Sequence, residues 1–301
     1  MFTTFKEIES YVLSQNMKKR IALANAHDEP ALSAVFNAKR RGVVEGTLIG
    51  KKAEIIQMLH NMGESETDYE IIDFDGEELE SAKIAIKLVK EGKADIPMKG
   101  ILQTSNFARA ILNRETGLIP ASGRRLVSQC GIFEYEGRFI MITDAAININ
   151  PDVETQIGIV ENALPVAKAL GNDCPKVAVL SAVENVTEKM VSTVTAAEIA
   201  KRGVPGCIIS GPLALDGAIS MESVKHKAIH DPVAGQADIL LVPFIEIGNV
   251  LYKACTYIAG KTMASTICGA SCPVVITSRA DTPDSKYYSI LMAVLRCIKG
   301  C

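Results

Sequence analysis

The chain has 301 residues, a net charge of −3 and 48% hydrophobic residues, enough for two domains or one large α/β unit with an ample core. With charges so nearly balanced there is no broad basic field, which excludes nucleic acid and an anionic membrane surface as partners. Any phosphate-bearing ligand then has to be captured by local cations. No run approaches the roughly 20 apolar residues of a membrane span, and Met1–Glu7 lacks the basic start and apolar core of a signal peptide. The eight cysteines (130, 174, 207, 255, 268, 272, 297, 301) are scattered without a CxxC pair. That usage predicts reduced packing thiols in a soluble cytoplasmic protein rather than a disulfide framework. Cys268 and Cys272 are the one close pair, and without His or Cys neighbours they predict no metal.

In chain order, residues 4–15 read as a short amphipathic helix and Arg20–Ala26 as a buried strand. The turn His27-Asp28-Glu29-Pro30 leads into a helix ending at Arg40-Arg41-Gly42. Strand Gly46–Ile49, helix 51–62, strand Tyr69–Asp73 and helix 77–90 follow. Next come strand Ala94–Gly100, where Pro97 lacks a ladder donor, and a helix from Thr104 to Asn113. Residues 114–137 carry Gly117, Pro120, Gly123 and Gly131 and read as a loop-rich domain crossing. Alternation resumes with strand Phe139–Thr143, helix 153–170, strand Lys176–Leu180, helix 187–202 and strand Cys207–Ser210. It continues with a helix from about Leu213, strand Asp238–Val242 and a helix near 246–258.

The run Pro273–Thr277 reads as a strand buried on both faces, with Thr282 or Asp281 capping a last helix to about Cys297 and Pro283 at its first position. This pattern predicts an α/β fold of parallel-rich sheets covered by helices. The last strand and helix are too short to stand alone, so they are expected to return to the first domain. The expected domains are 1–126 with 266–301, and 127–265, two lobes with an active-site cleft between them.

Three loops carry candidate chemistry. Beyond the last strand the chain releases Ser278, Arg279, Asp281 and Asp284, and ligands of open α/β sheets bind past the carboxyl ends of strands. A hydroxyl and a guanidinium there suit an anion, though a capping loop with a surface ion pair explains them as well. Lys99-Gly100 followed by Thr104, Ser105 and Arg109 is a strand end, a glycine and a helix start, which suits a phosphate. It lacks the P-loop order, and an ordinary helix start explains it equally. Gly211–Asp216 is a turn with Asp216 in a first helical turn, explained by the helix dipole alone, and Asp144 is similar. Gly248-Asn249 suggests backbone approach to a ligand or tight helix packing. His226 and His230 have the spacing to share a helix face, but no acid accompanies them, so surface histidines are expected.

Several stretches together resemble the phosphotransacylases, the phosphate acetyl- and butyryltransferases. They are Met98-Lys99-Gly100, Thr104–Leu112, Pro175–Ala178, Gly211–Asp216, Pro232–Asp238, Gly248–Lys253 and Thr277–Asp281. They keep the family's order along nearly the whole chain, and the wording is similar to the butyryl branch. The resemblance implies a two-lobed fold similar to the isocitrate and isopropylmalate dehydrogenases, and homodimers or larger assemblies. It implies acyl-CoA + phosphate ⇌ acyl phosphate + CoA through a ternary complex, with no metal or resident cofactor and coenzyme A as substrate. By motif, Ser278 steadies the tetrahedral intermediate, and Arg279 and Arg109 hold the anions. Lys99, Gly100, Thr104, Ser105, Asp216, Asn249 and Lys253 fall in the matching substrate-binding segments. The acetyl enzymes place an aspartate seven residues after the serine. Here that position is Ser285, which leaves Asp284 and Asp281 as candidate bases.

Two other classes compete. A decarboxylating dehydrogenase of the same fold needs a metal-binding aspartate cluster, for which Asp216, Asp231 and Asp238 are candidates. It also needs a nicotinamide site, and no dinucleotide glycine fingerprint is present. A non-catalytic acyl-CoA sensor would not release CoA in a phosphate-dependent way.

Overall fold

The computed structural model describes residues 1–120, 124–277 and 281–300. They divide into two compact units: Phe5–Arg125 with Ala264–Cys301, here the split unit, and Met1–Thr4 with Leu126–Met263, the central unit. The first four residues join the central unit, where the Phe2 N–H donates to the Leu170 carbonyl at 2.9 Å.

The split unit opens with α1 (Phe5–Ser14), which buries Phe5, Ile8 and Val12 at helical spacing. Then come β1 (Lys19–Ala24), α2 (Glu29–Arg40), β2 (Val44–Gly50), α3 (Lys52–Asn61), β3 (Glu70–Asp73), α4 (Glu78–Lys90), β4 (Ile96–Lys99) and α5 (Thr104–Ile111). The sheet order is β3-β2-β1-β4, and every pairing is parallel. Parallel strands covered by helices must be apolar on both faces, and Ile21, Ala22, Leu23 and Ala24 of β1 are fully buried.

The central unit begins with β5 (Ser128–Tyr135) and β6 (Arg138–Thr143), an antiparallel hairpin. Its two turn residues, Glu136 and Gly137, have φ of 46° and 75°, as a tight hairpin requires. β5 lies inside the segment expected to be loop, so that expectation is corrected: the glycine at 131 disguised a strand. Next come α6 (Val153–Ala169), β7 (Lys176–Leu180), α7 (Val191–Arg202), β8 (Ile208–Leu213), α8 (Leu215–Ile219), α9 (Met221–His226), β9 (Ile239–Leu241) and α10 (Ile245–Tyr257). The strands of this unit run in the order β5-β6-β9-β7-β8, parallel from β6 onward.

The chain returns to the split unit with β10 (Ala264–Cys268) and α11 (Pro283–Lys299). β10 has no counterpart in the sequence reading. The Val274-Val275 stretch makes a parallel bridge to Met98 and an antiparallel one to Ile267, so Val275 lies alongside β4. The Val275 N–H donates to the Pro97 carbonyl at 3.1 Å, and Val275 accepts from the Lys99 N–H at 3.1 Å. Pro97 is thus inside β4, at the cost of one ladder donor. His226 is the last residue of α9 and His230 lies beyond it, so the two do not share a helix face. No helix of the described residues is long and apolar enough to cross a membrane.

Candidate active site

The carboxyl ends of β1, β4 and the Val275 stretch meet at one edge of the split unit. Gly100 sits where the chain leaves β4, and its N–H donates to the Ala24 carbonyl at 2.8 Å. A Cβ there would lie 2.3 Å from the Asn25 carbonyl oxygen, so no other residue fits. Asn25, with φ of 49°, donates its side-chain Nδ2 to the Ile101 carbonyl at 3.1 Å and its backbone N–H to Ser81 Oγ at 2.9 Å. Lys99 is only 8% exposed, and its Nζ donates to the Gly100 and Leu102 carbonyls at 3.0 Å each. Its charge therefore ties down the loop after β4 as well as biasing the edge toward anions.

The amino terminus of α5 has a carboxylate against it. Glu78 Oε2 accepts from the Gln103 N–H and from Asn106 Nδ2, both at 2.8 Å. Thr104 and Ser105 are exposed in that first turn, with Gln103 rather than Thr104 at the cap. An anion arriving here meets Glu78 before it meets the dipole. Arg109 lies in the last turn of α5, exposed, with no ion pair or hydrogen bond among the described residues. Its guanidinium is therefore available to an anion.

Ser278 and Arg279 lie outside the described residues. On their far side, Thr282 caps α11 by accepting the Ser285 N–H at 3.1 Å, and Pro283 takes the first helical position. Ser285 is buried and also accepts from the Thr282 hydroxyl at 3.0 Å. It is held as a capping partner. Asp284 is exposed in the same first turn. The Asp281 carbonyl accepts from Lys286 Nζ.

The remaining candidates belong to the central unit. Asp216, in the first turn of α8, is paired with Lys227 Nζ at 3.0 Å, and Lys227 also reaches Glu184 at 3.0 Å. The hydrogen bond from Lys227 holds the Asp216 carboxyl below its ordinary range. Asn249 Nδ2 donates to the Ala145 carbonyl at 3.4 Å. A Cβ on Gly248 would lie 2.6 Å from the Asp144 carbonyl oxygen, so this glycine serves tight helix packing. Lys253 is exposed. Asp144 is 2% exposed and ringed by donors: the N–H groups of Gln129, Ala146, Ile147 and Asn148 at 2.9–3.1 Å, and Asn148 Nδ2 at 2.5 Å. Burial pushes its carboxyl up while this ring pulls the other way. It organises the end of β6.

Sequence reasoning gave no role to Asn25, His27 or Lys286. His27 Nδ1 is buried with no hydrogen-bond partner, and a Cβ on Gly50 would lie 2.6 Å from it. The signal for Lys286 was a charged residue in an otherwise apolar helical stripe. Among the described residues no three His, Cys, Asp or Glu side chains gather as a metal site.

The fold is shared with a 4-hydroxythreonine-4-phosphate dehydrogenase from Klebsiella pneumoniae, at a TM-score of 0.55 and 11% identity over 93% of this chain and 100% of that one. Residues 78–294 match the family described as "Phosphate acetyl/butaryl transferase", and the chain belongs to that family. It is therefore an acyltransferase. It is 42% identical, over 98% of both chains, to the phosphate butyryltransferase of Clostridium acetobutylicum. It is also similar to a branched-chain phosphotransacylase from Enterococcus faecalis V583, with a TM-score of 0.83 and 34% identity over 93% of this chain and 99% of that one.

Proposed function

We propose that the protein transfers a short-chain acyl group, butyryl or branched, reversibly between coenzyme A and inorganic phosphate. The observation that carries this reading is the 42% identity to a phosphate butyryltransferase along 98% of each chain. A phosphate oxygen attacks the thioester carbonyl, a tetrahedral oxyanion forms, the C–S bond breaks, and the departing CoA thiolate takes a proton. A free thiol has a pKa near 8.5, so the thiolate leaves readily and its protonation asks little of a general acid. The larger demand is electrostatic, because an oxyanion forms beside a phosphate. The Ser278 hydroxyl donates to that oxyanion, a kind of contact worth about 3–4 kcal/mol. Arg279 and Arg109 hold the anionic reactants, and the open guanidinium of Arg109 supports its share. Asp284, exposed at the start of α11, exchanges the thiol proton, with Asp281 as the alternative. Lys99, Gly100, Thr104, Ser105, Asp216, Asn249 and Lys253 complete the set of residues that bind phosphate and CoA.

No metal or resident cofactor takes part in this reading, which places the enzyme in the cytoplasm as a homodimer or larger homo-oligomer. Apolar residues left exposed on and beyond α10, Ile247, Val250, Tyr257 and Ile258, support association with a second copy. The test is a thiol-release assay with acetyl-, propionyl-, butyryl- and isobutyryl-CoA, with and without phosphate. Release that needs phosphate and is fastest with a four-carbon chain is expected. Release independent of phosphate would overturn the reaction, and a preference for acetyl-CoA would move the enzyme to the acetyl branch. Arg279→Ala and Arg109→Ala should each lower phosphate-dependent turnover, and wild-type turnover at saturating phosphate in both would refute their assignment.

A further inference from the structure

α11 is a seventeen-residue helix whose basic residues sit mostly where the dipole favours them, Arg296 and Lys299 in the last turn. Lys286 is the exception. It stands one residue past Ser285, near the positive end of the helix, and is only 5% exposed. Its ammonium turns back across the first turn and donates to the main-chain carbonyl of Asp281, three residues after Ser278. Burial pushes the ammonium below its ordinary range, and the carboxylates of Asp281 and Asp28 oppose that shift. Asp28, the residue before α2, makes no side-chain cap to its own helix, and α2 packs against α11.

A cation taken from water and set near a helix's amino end is a poor choice for stability, since an apolar side chain of similar length would pack there without the desolvation cost. What the ammonium does supply is a fixed carbonyl at the entry to α11. We propose that Lys286 is a positioning residue for acyl transfer, fixing the Asp281 carbonyl and so the geometry of the chain entering α11. This rests on the assignment of Ser278 and Arg279 to the reacting groups.

The test compares the full-length wild type with Lys286→Met, Lys286→Gln and Lys286→Arg, and with Ser278→Ala as the control on the site itself. Kinetics with varied phosphate and acyl-CoA are read together with circular dichroism and urea unfolding. Lys286→Met is expected to lower kcat by about 100-fold, the loss that an ångström of misplacement commonly causes, while KM for acyl-CoA stays near wild type. Lys286→Arg, which keeps charge and donors, should recover most of that loss, and Lys286→Gln, which keeps a donor alone, should recover less. If Lys286→Met does not fold, the Gln and Arg variants carry the same ranking. A folded Met or Gln variant with wild-type kcat overturns the proposal, as does an Arg variant no better than Gln. Should Ser278→Ala also be fully active, it is the site reading that fails; an inactive Ser278→Ala beside a fully active Lys286→Gln condemns the positioning role alone.

Discussion

Gly100 has no freedom to be anything else. The two atoms its Cβ would strike, the carbonyl oxygens of Asn25 at 2.3 Å and Ala24 at 2.6 Å, belong to a backbone that the sheet holds in place. Gly100→Ala is expected to lower the unfolding free energy by about 1–3 kcal/mol, as overpacked sites do, and to show as a lower urea midpoint. The cysteines make a second test at this scale. Cys130 and Cys268 are fully buried, while burial pushes the Cys272 thiol up to about 12 and the Cys297 thiol up to about 11. Cys174 is exposed. Because the thiolate is the reactive form, iodoacetamide at pH 8 should label Cys174 in the native protein and spare Cys272 and Cys297 until denaturant is added. Peptide mapping by mass spectrometry reads the result, and native labelling of Cys272 would contradict this packing.

At the scale of elements, α11 was the most legible part of the chain. Thr282-Pro283 announces a helix start, and the structure seats Thr282 as its cap. Thr282→Ala should cost about 1 kcal/mol of stability, the usual value for a lost N-cap, measured by urea denaturation. β5 was illegible for a reason that lies elsewhere in the sequence. A Cβ on Gly131 would lie 2.6 Å from the Tyr252 ring of α10, so the glycine that reads as a strand breaker makes room for an aromatic ring 121 positions away. The amino terminus of α5 teaches the same lesson in reverse. Gln103-Thr104-Ser105 reads as an open anion site, but Glu78, from the start of α4, reaches it. Nothing near residue 104 could have announced that carboxylate.

For the whole molecule, the exposed side of α10 bears on how many chains assemble. Helix α10 is apolar along most of its length, yet Gly248 is its one fully buried residue, and Val250 is 67% exposed. Apolar surface of that kind is a common mark of a protein interface. Sedimentation velocity is expected to give a dimer or larger species, and Val250→Glu should shift it toward a smaller one. A monomeric wild type at micromolar concentration would contradict the assembly. Acyl-chain preference also belongs to this scale, since two extra methylenes contribute only about 1.6 kcal/mol at about 0.8 each. A difference that small can be set by modest changes in packing around the acyl chain.

Local rules reach only a few residues along the chain. They were enough to determine most of the alternation of strands and helices, the start of the last helix at Thr282 or Asp281, and, through ordered motifs, the family and its transferase chemistry. Only the tertiary structure decided that Lys99 turns inward to hold the loop after β4, that Glu78 sits at the start of α5, that Gly131 yields to Tyr252, and that Lys286 grips Asp281 from inside the core. Each of these depends on burial or on a side chain's direction. Those are settled by the packing of segments remote in sequence, where a buried donor must find its acceptor wherever the fold has put one.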